Sequence, residues 1–515
     1  MSRKSLFLFV SSLIFVLVLG LSGFASAATD TVTVGIAAPP RTMDPHGSDA
    51  DSNLSIMSNI FEGLLQRNSE GKLLPALATD WERVNSLTWR FKLRKGVKFH
   101  NGNDFTWEDV KFTFNRLSNP EVSEFLAFGG NIDSVTIVDG NSWLIDIKTK
   151  EAVPYFAQNL HQIFIMDKES TESRSQGEVG TKPIGTGPYK FTEWVKGSYL
   201  KLEANPDYWG GQLEVKQAEF RPITEPSTRL AAISSGQIDI LQGVPVTFID
   251  SITSNSQIEL VTRPSRRSIF LSINNDEGSP TADVRVRRAM YMAINEPEII
   301  EKVMLGHASP AAQIPDPPTV GYSDQIERIS YDPERAKELL AEAGYPDGFE
   351  ITLSGPNDRY VQDEQILQAV ASYMEKVGIK CNVDAKPKSI FFEEVAHQEL
   401  DFYLIGWFDG SYDYGRSFSK LLHSVVPDKG LGSTNGTRYG DPVLDNLYAQ
   451  STKIIDPAIR GELLKVLNRL AMSPEKVAAI PLHYQEDTYA LYKDQGINFT
   501  PRSDTWIVFK EMSLN

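Results

Sequence analysis

The sequence predicts an α/β fold in which helices cover a parallel sheet. Three observations lead to this prediction. The composition, 41% hydrophobic and 23% charged, is typical of a globular protein. In the C-terminal half, strand-like runs alternate with helix-like runs, and each helix-like run is long enough to connect two parallel strands. The alternating segments are 349–355, 379–385 and 401–408 as strands, with 363–378 and 389–400 as helices.

Another helix of this half carries its own start and stop signals. Asp332 and Pro333 are favoured at the N-cap and at the first position of a helix. Gly344 and Pro346 end the same helix, whose apolar residues recur at helical spacing. A chain of 515 residues with such regular elements predicts two or three domains.

The N-terminal half contains elements of both kinds. Alternating Val32 and Val34 indicate a strand, and segment 52–68 has the apolar spacing of an amphipathic helix. Residues 85–149 differ, because strand-like runs with Asp-Gly and Asn-Gly turns flank one helix that Thr106 caps. This segment predicts a small separate α+β unit.

A tightly specified turn follows that unit. The stretch PIGTGPYKF, residues 183–191, places two glycines and two prolines in its first six positions. Gly185 and Gly187 permit backbone angles that other residues resist, and Pro188 fixes φ. We expect this stretch to be the return point between two structural units.

The first residues form a targeting signal. Arg3 and Lys4 precede the apolar run Leu6–Leu21, and the small residues of 25–27 form a cleavage site. We therefore predict a signal peptide over residues 1–27 and a mature chain from about Ala28. The alternative, a retained membrane helix, would be short for a span. A lipid anchor would need a cysteine at the new N-terminus, so we expect a soluble, exported product.

The net charge of −16 argues against two classes of partner, nucleic acid and acidic membrane surfaces. Loss of Arg3 and Lys4 with the leader would bring the charge to −18. Cys381 is the one cysteine of the chain, which rules out an internal disulfide. Its strand-like surroundings predict a buried structural thiol.

Charged residues follow two of the predicted parallel strands. Arg359 follows the first strand of the alternating pattern, and Asp409, Asp413 and Arg416 follow the third. Ligands of open parallel sheets bind beyond the carboxyl ends of the strands, where these two loops would meet. Arg359 is then placed to hold a carboxylate, and an aspartate to hold an ammonium group. The alternative is that these residues are solvated loop charges.

Aromatic residues lie beside these charges and are candidates for stacking on a ligand. They are Trp407, Phe408, Tyr412 and Tyr414. Because Trp407 ends an apolar strand, core packing is the alternative for this side chain.

The sequence lacks the common local signatures of catalysis. It contains no GxSxG elbow, HExxH motif or P-loop. No two of its seven histidines are spaced three or four residues apart, as a local helical metal site would require. We therefore predict no catalytic residues, no metal site and no cofactor.

Several ordered segments resemble one family, the large solute-binding proteins of peptide/nickel-type bacterial ABC importers, solute-binding protein family 5. The resemblance covers essentially the whole chain after the signal. The longest segments that carry it are WRFKLRKGVKFHNGNDFTWEDVKFTFNRL, PIGTGPYKFTEWVKGSYLKLEANPDYWGG and FLSINNDEGSPTADVRVRRAMYMAIN.

The resemblance implies a two-lobed periplasmic-binding-protein fold (type II, cluster C) with an extra α+β domain inserted in lobe one. The implied bounds are 28–71, 183–270 and 482–515 for lobe one, 72–182 for the inserted domain and 271–481 for lobe two. The GTGPY turn would re-enter lobe one after the insertion. Tyr484 would lie near the hinge, either touching the ligand or packing at the crossover.

The resemblance also implies a set of ligand-binding residues. Dipeptide binders of the family hold the ligand carboxylate with an arginine that Arg359 matches. They hold the ammonium group with an aspartate shortly after a Gly-Trp pair, here Gly406-Trp407. Asp409 comes one position earlier than in that pattern, so Asp413 is the alternative partner.

The implied function is that of an extracytoplasmic binding protein. It would be a periplasmic monomer and not an enzyme, and it would capture a di- or oligopeptide between its lobes. It would deliver this ligand to ABC permease subunits in the inner membrane. Alternatives are a non-peptide ligand (an oligosaccharide, opine, glutathione or chelated nickel), a receptor without transport, and an exported hydrolase.

Overall fold

The structure is a computed structural model that describes residues 31–514. The predicted signal peptide and the start near Ala28 lie outside the described residues. Within 31–514, no helix has both the length and the apolarity required to cross a bilayer.

A large sheet of eleven strands runs through the molecule. Its two longest strands, Ile258–Ile273 and Ala479–Tyr492, are antiparallel neighbours at its centre. In order across the sheet the strands are Ile379–Lys386, Phe349–Pro356, Phe402–Trp407, Ile258–Ile273, Ala479–Tyr492, Ile240–Gln242, Thr31–Ile36, Gln217–Pro222, Tyr199–Ala204 and Tyr189–Val195, with Ala308–Pro310 pairing to Ala479–Tyr492.

A second sheet of four strands lies within the segment predicted to be the inserted domain. In sheet order its strands are Ala78–Arg83, Thr88–Leu93, Asn141–Thr149 and Ile132–Val138. Two short antiparallel pairs complete the strands, Leu65–Arg67 with Leu73–Pro75 and Ile497–Asn498 with Ser513–Leu514.

The helices pack on both halves of the large sheet and on the small one. They are Asp51–Ile60, Trp107–Arg116, Leu126–Gly130, Phe156–Asn159, Lys168–Glu172, Gln176–Val179, Pro226–Ser234, Ile249–Thr253, Val284–Ala293, Glu296–Lys302, Pro333–Glu342, Asp363–Glu375, Lys388–His397, Tyr414–Leu421, Pro442–Lys453 and Pro457–Met472. The predicted caps are confirmed: Thr106 forms a capping box with Asp109, and Asp332 accepts a hydrogen bond from the backbone nitrogen of Arg335.

The predicted alternation in the C-terminal half is confirmed in order and type. Its three strands are mutually parallel, with Phe349–Pro356 between the other two. The whole sheet is mixed, however, because Phe402–Trp407 also pairs antiparallel with the long strand Ile258–Ile273. The strand Ile258–Ile273 enters from the other half of the molecule and therefore runs opposite to Phe402–Trp407.

The buried apolar residues form two main cores. One core draws on residues from Ile269 to Leu482, which is nearly the predicted lobe two. The other joins residues of the predicted lobe one, such as Val34, to residues of the inserted segment, such as Phe91. Separate cores allow the two halves to move as units about their connections, and the predicted domain bounds remain a prediction.

Two strands connect these halves. The chain crosses along Ile258–Ile273 and returns along Ala479–Tyr492. Their pairing shifts between Pro264 and Ser268, where three residues on one strand face a single residue on the other. Such a bulge bends a strand and re-aims its side chains.

The turn PIGTGPYKF is specified by close packing, so the expectation of unusual backbone angles was wrong. Gly185 and Gly187 are not among the glycines with positive φ. A Cβ atom on Gly185 would lie 2.1 Å from the carbonyl oxygen of Ile60, and one on Gly187 would lie 2.5 Å from its carbonyl carbon. The backbone nitrogen of Gly187 donates to the Ile60 oxygen at 2.9 Å. Only glycine fits this contact with the end of the helix Asp51–Ile60.

A buried histidine on the returning strand predicts sensitivity to acid. His483 has no exposed surface, and burial, with Arg328 nearby, lowers its pKa to about 3. Both ring nitrogens lack a hydrogen-bond partner among residues 31–514. Protonation near pH 6.5 therefore favours the unfolded chain, and this contribution to stability, complete above pH 6.5, is lost as the pH falls toward 3.

We expect His483→Leu to reduce the loss of stability between pH 7 and pH 5 by on the order of 1 kcal/mol. The measurement is urea unfolding at both pH values. His397→Leu is the matched control, because His397 is exposed. Equal acid sensitivity of the His483 variant and the wild type would contradict the assignment.

Candidate ligand-binding site

A cleft separates the two halves on one side of the crossing strands. A cavity of about 700 Å³ is lined from one side by Tyr155 and Asn159 and from the other by Arg416 and Tyr448. A second cavity of about 200 Å³ adjoins it, and the two share Asp51 and Phe408 as lining residues.

Charged side chains from three different elements face the 200 Å³ cavity. Arg359 comes from the loop after Phe349–Pro356, Arg267 from the bulge in Ile258–Ile273, and Asp51 from the start of Asp51–Ile60. Trp407 lines the same cavity from the end of its strand. The predicted meeting of the two strand ends at one edge is thus observed, since Arg359 and Trp407 lie together.

Asp363 holds the loop of Arg359 in place. Its carboxylate accepts hydrogen bonds from the backbone nitrogens of Arg359 and Tyr360, at 2.8 and 2.9 Å. The Arg359 guanidinium lies 5.4 Å from the ring centre of Tyr360 and is exposed. It makes no side-chain hydrogen bond or ion pair with any residue from 31 to 514, which leaves its donors available to a ligand.

The bulge of the crossing strand positions Arg267. Residues 265–267 lie between the Pro264 and Ser268 pairs, and the backbone nitrogen of Arg267 donates to Ser265 Oγ at 3.2 Å. Burial lowers the pKa of the Arg267 guanidinium, and the neighbouring charge of Arg359 lowers it further. Sequence reasoning missed this residue, although two adjacent arginines just before the mostly apolar end of a strand were a usable signal.

Asp51 is the acid of the cavity. It is the first residue of the helix Asp51–Ile60 and is exposed within the cleft. The surrounding protein limits its hydration and raises its pKa, while Arg267 and Arg359 act in the opposite direction. Sequence reasoning missed Asp51 because an acid in the first turn of a helix is common for purely electrostatic reasons.

Two aromatic residues form part of the wall. The indole nitrogen of Trp407 donates to Ser417 Oγ at 3.0 Å, which fixes the ring beside the cavity. Phe408 lines both cavities. Both remain candidates for stacking on a ligand, as the sequence proposed for Trp407 and Phe408 alike.

The carboxylate of Asp409 is used within its own loop. Its oxygens accept hydrogen bonds from the backbone and hydroxyl of Ser411, from Arg416 and from Ser417, at 2.6 to 3.0 Å. Burial alone would raise the pKa of Asp409, but Arg416 and these hydrogen bonds outweigh it and hold the pKa below its usual value. In this arrangement the Asp409 carboxylate positions its own loop.

Asp413, the alternative ammonium partner, is also engaged. Arg460 donates to both of its oxygens, at 2.5 and 2.9 Å, and the backbone nitrogen of Gly415 donates at 3.0 Å. The side chain is buried and lines neither cavity. Its interactions connect the loop to the helix Pro457–Met472.

Tyr412 contacts the opposite lobe instead of a cavity. Its ring centre lies 4.0 Å from the guanidinium carbon of Arg67 and 3.2 Å from that of Arg266. Its hydroxyl lies 2.7 Å from Ser503 Oγ. Its φ of 56° is left-handed, a conformation that a tyrosine adopts only where its surroundings compensate the strain.

Tyr484 packs at the crossover. It lies opposite Ser268 in the paired long strands, and its hydroxyl is within 3.0 Å of the carbonyl oxygen of Gln313 and 2.6 Å of that of Pro315. The side chain is buried and outside both cavity linings. Of the two roles open to it from the sequence, the geometry supports packing.

Two lobes, two crossing strands and a cleft with charged and aromatic walls define the class of two-lobed solute-binding proteins. The chain belongs to family 5 of the bacterial extracellular solute-binding proteins, whose family model matches residues 72–427. This confirms the family and the two-lobed fold that the sequence predicted.

Comparison with individual proteins agrees with this membership. The glutathione-binding protein GsiB of Escherichia coli is 28% identical over 451 residues, which cover 86% of this chain and 86% of the relative. The structure of HbpA2 from Haemophilus parasuis has a TM-score of 0.83 at 22% identity, covering 94% of this chain and 100% of the other. Helicobacter pylori DppA, a periplasmic binding protein in complex with peptide STSA, has a TM-score of 0.76 at 23% identity, covering 94% and 98%.

Proposed function

We propose that this protein captures a short peptide in its interlobe cleft, without changing any bond of the ligand. The supporting observation is the meeting of Arg359, Asp51 and Trp407 around one cavity between the lobes. Arg359 holds the terminal carboxylate bidentately, and Asp51 holds the terminal ammonium group. Trp407 and Phe408 supply apolar contact area beside these charges.

The charge arrangement differs from the sequence prediction in one respect. Asp51 replaces Asp409 and Asp413 as the ammonium partner, and it comes from the opposite lobe to Arg359. A peptide that contacts both residues therefore links the two lobes. Closure is a population shift, in which the ligand stabilises the closed arrangement by its differential affinity for it.

Membership in the family supports further proposals about export, oligomeric state and delivery of the ligand. We propose that the protein is exported with removal of residues 1–27, acts as a monomer outside the cytoplasm and delivers its ligand to an ABC permease. It is not an enzyme and does not bind nucleic acid. The glutathione- and peptide-binding relatives support a peptide-like ligand.

The test is calorimetry with glutathione and a panel of dipeptides on the wild type and Arg359→Gln. We expect the substitution to raise Kd by at least about 30-fold, or about 2 kcal/mol, because the ligand carboxylate loses a charged partner in a partly desolvated site. Lys376→Gln is the control, since this exposed lysine lies at the far end of the helix Asp363–Glu375.

Three outcomes would contradict the proposal. Unchanged affinity of Arg359→Gln would remove Arg359 from the site. Binding of sugars, opines or nickel chelates with no binding of any peptide would replace the ligand class, and turnover of a peptide or glycan by the pure protein would restore the hydrolase hypothesis.

A further inference from the structure

The 200 Å³ cavity is lined by one more cation than the proposed ligand contacts require. Arg359 and Asp51 satisfy the two termini of a peptide, but Arg267 also lines the cavity. Its guanidinium makes no side-chain hydrogen bond or ion pair with the part of the chain that the structure describes. A ligand that filled this cavity with only two terminal charges would leave Arg267 desolvated and unpaired, which is costly.

The position of Arg267 is built into the fold. The bulge places three residues opposite one, and Arg266 and Arg267 diverge from it. Arg266 turns into the hinge, where it forms two hydrogen bonds with Asp316 at 2.7 and 3.0 Å. Arg267 faces the cavity and lies 5.8 Å from the ring centre of Phe408. Consecutive side chains of a strand point to opposite faces, which separates the two arginines, and the bulge bends the strand at this place.

Nearby acidic residues do not neutralise the excess positive charge of this cavity. Asp51 is the one acid among the residues that line the 200 Å³ cavity, against the two arginines. Asp487 is the next acid toward Arg267, but it lies outside that lining, and burial raises its pKa to about 6. The charge of the cavity wall therefore calls for a ligand with one more negative than positive group.

We infer that Arg267 is a second anion-binding residue and that the captured peptide carries a side-chain carboxylate in addition to its terminal one. This inference rests on the proposed function, because it assigns the terminal carboxylate to Arg359. Charge complementarity at Arg267 then selects acidic peptides over neutral ones of the same shape.

The test compares peptides that differ only in charge. Calorimetry is performed with Ala-Glu against Ala-Gln and with Glu-Ala against Gln-Ala, on wild type, Arg267→Gln and Arg267→Lys. In wild type we expect at least one glutamate peptide to bind about 10-fold or more tightly than its glutamine counterpart. Arg267→Gln should bring that ratio to within about twofold, because the glutamate side chain loses its charged partner and the glutamine peptide no longer leaves a guanidinium unpaired. Arg267→Lys should retain a preference for glutamate.

The outcomes separate this inference from the proposed function. Equal affinity for both members of each pair in wild type, or a preference that survives in Arg267→Gln, would overturn the role of Arg267 and leave peptide capture intact. If no dipeptide or glutathione binds the wild type, peptide capture fails and the inference fails with it. Melting temperatures of the variants establish that each is folded, and Arg267→Lys provides a second folded variant.

Discussion

Asp413→Ala is expected to lower the free energy of unfolding by about 3–5 kcal/mol, among the largest effects of any single substitution in this chain. Asp413 is 3% exposed and holds Arg460 with two charge-assisted hydrogen bonds. Its removal leaves the buried guanidinium without a counter-charge, and the helix Tyr414–Leu421 loses its cap. Urea unfolding at pH 7 measures the change.

The double variant distinguishes lost charge balance from lost packing. Adding Arg460→Met to Asp413→Ala should recover part of the stability, because an apolar side chain does not need a buried counter-charge. Asp494→Ala, at an exposed position, should change stability by less than about 0.5 kcal/mol. A loss below about 1 kcal/mol for Asp413→Ala would contradict the structural role assigned here.

Tyr412→Ala is expected to weaken ligand binding by about 100-fold, although Tyr412 does not line either cavity. Tyr412 belongs to the second lobe, while Arg67 and Ser503, two of its partners, belong to the first. Stacking on a desolvated guanidinium contributes about 2 kcal/mol and a hydrogen bond about 1 kcal/mol. These contacts join residues of the two lobes, so we expect their loss to lower the population of the closed arrangement and with it the apparent affinity.

Two glycines provide a matched pair of variants for testing the contact between Tyr412 and the first lobe. Gly71 and Gly96 both have positive φ, of 81° and 75°. A Cβ atom on Gly71 would lie 2.3 Å from the Tyr412 ring, whereas one on Gly96 would meet nothing within 4 Å. Gly71→Ala and Gly96→Ala therefore share the backbone strain, of about 1 kcal/mol, but only Gly71→Ala obstructs closure.

We expect Gly71→Ala to raise Kd at least about 10-fold and Gly96→Ala to leave it unchanged. In the Tyr412→Ala background, Gly71→Ala should have little further effect, since the obstructing ring is gone. Small-angle scattering with saturating ligand reports closure directly. Similar affinities for the two alanine variants would show that Tyr412 does not control closure.

The proposed roles fall to separate parts of the cleft. Arg359, Arg267 and Asp51 line the 200 Å³ cavity, while Tyr412 joins the lobes beside it. Asp409 and Asp413 shape the loop that carries Phe408 and therefore influence the site indirectly. Substitutions in the first group should change which ligand binds, and substitutions at Tyr412 should change all affinities together.

The fold could be predicted in large part because its signals are local. Helix caps such as Asp332, apolar periodicity and strand alternation each depend on a few neighbouring residues, and the structure confirms them except that the helix predicted over 52–68 ends at Ile60. The meeting of the two loops also followed, since parallel strands must bring their carboxyl ends to one edge. Arg359 and Trp407 meet there for that reason.

The sequence by itself therefore determined the family, the order of the elements and the edge of the sheet where the cleft opens. Only the tertiary structure decided which charges remain available. Asp409 and Asp413 are occupied by Arg416 and Arg460, and Asp51 reaches the cavity from a helix some 300 residues earlier in the chain. A carboxylate binds whichever cation the fold brings closest, and that distance is set by packing between remote segments, which no local pattern records.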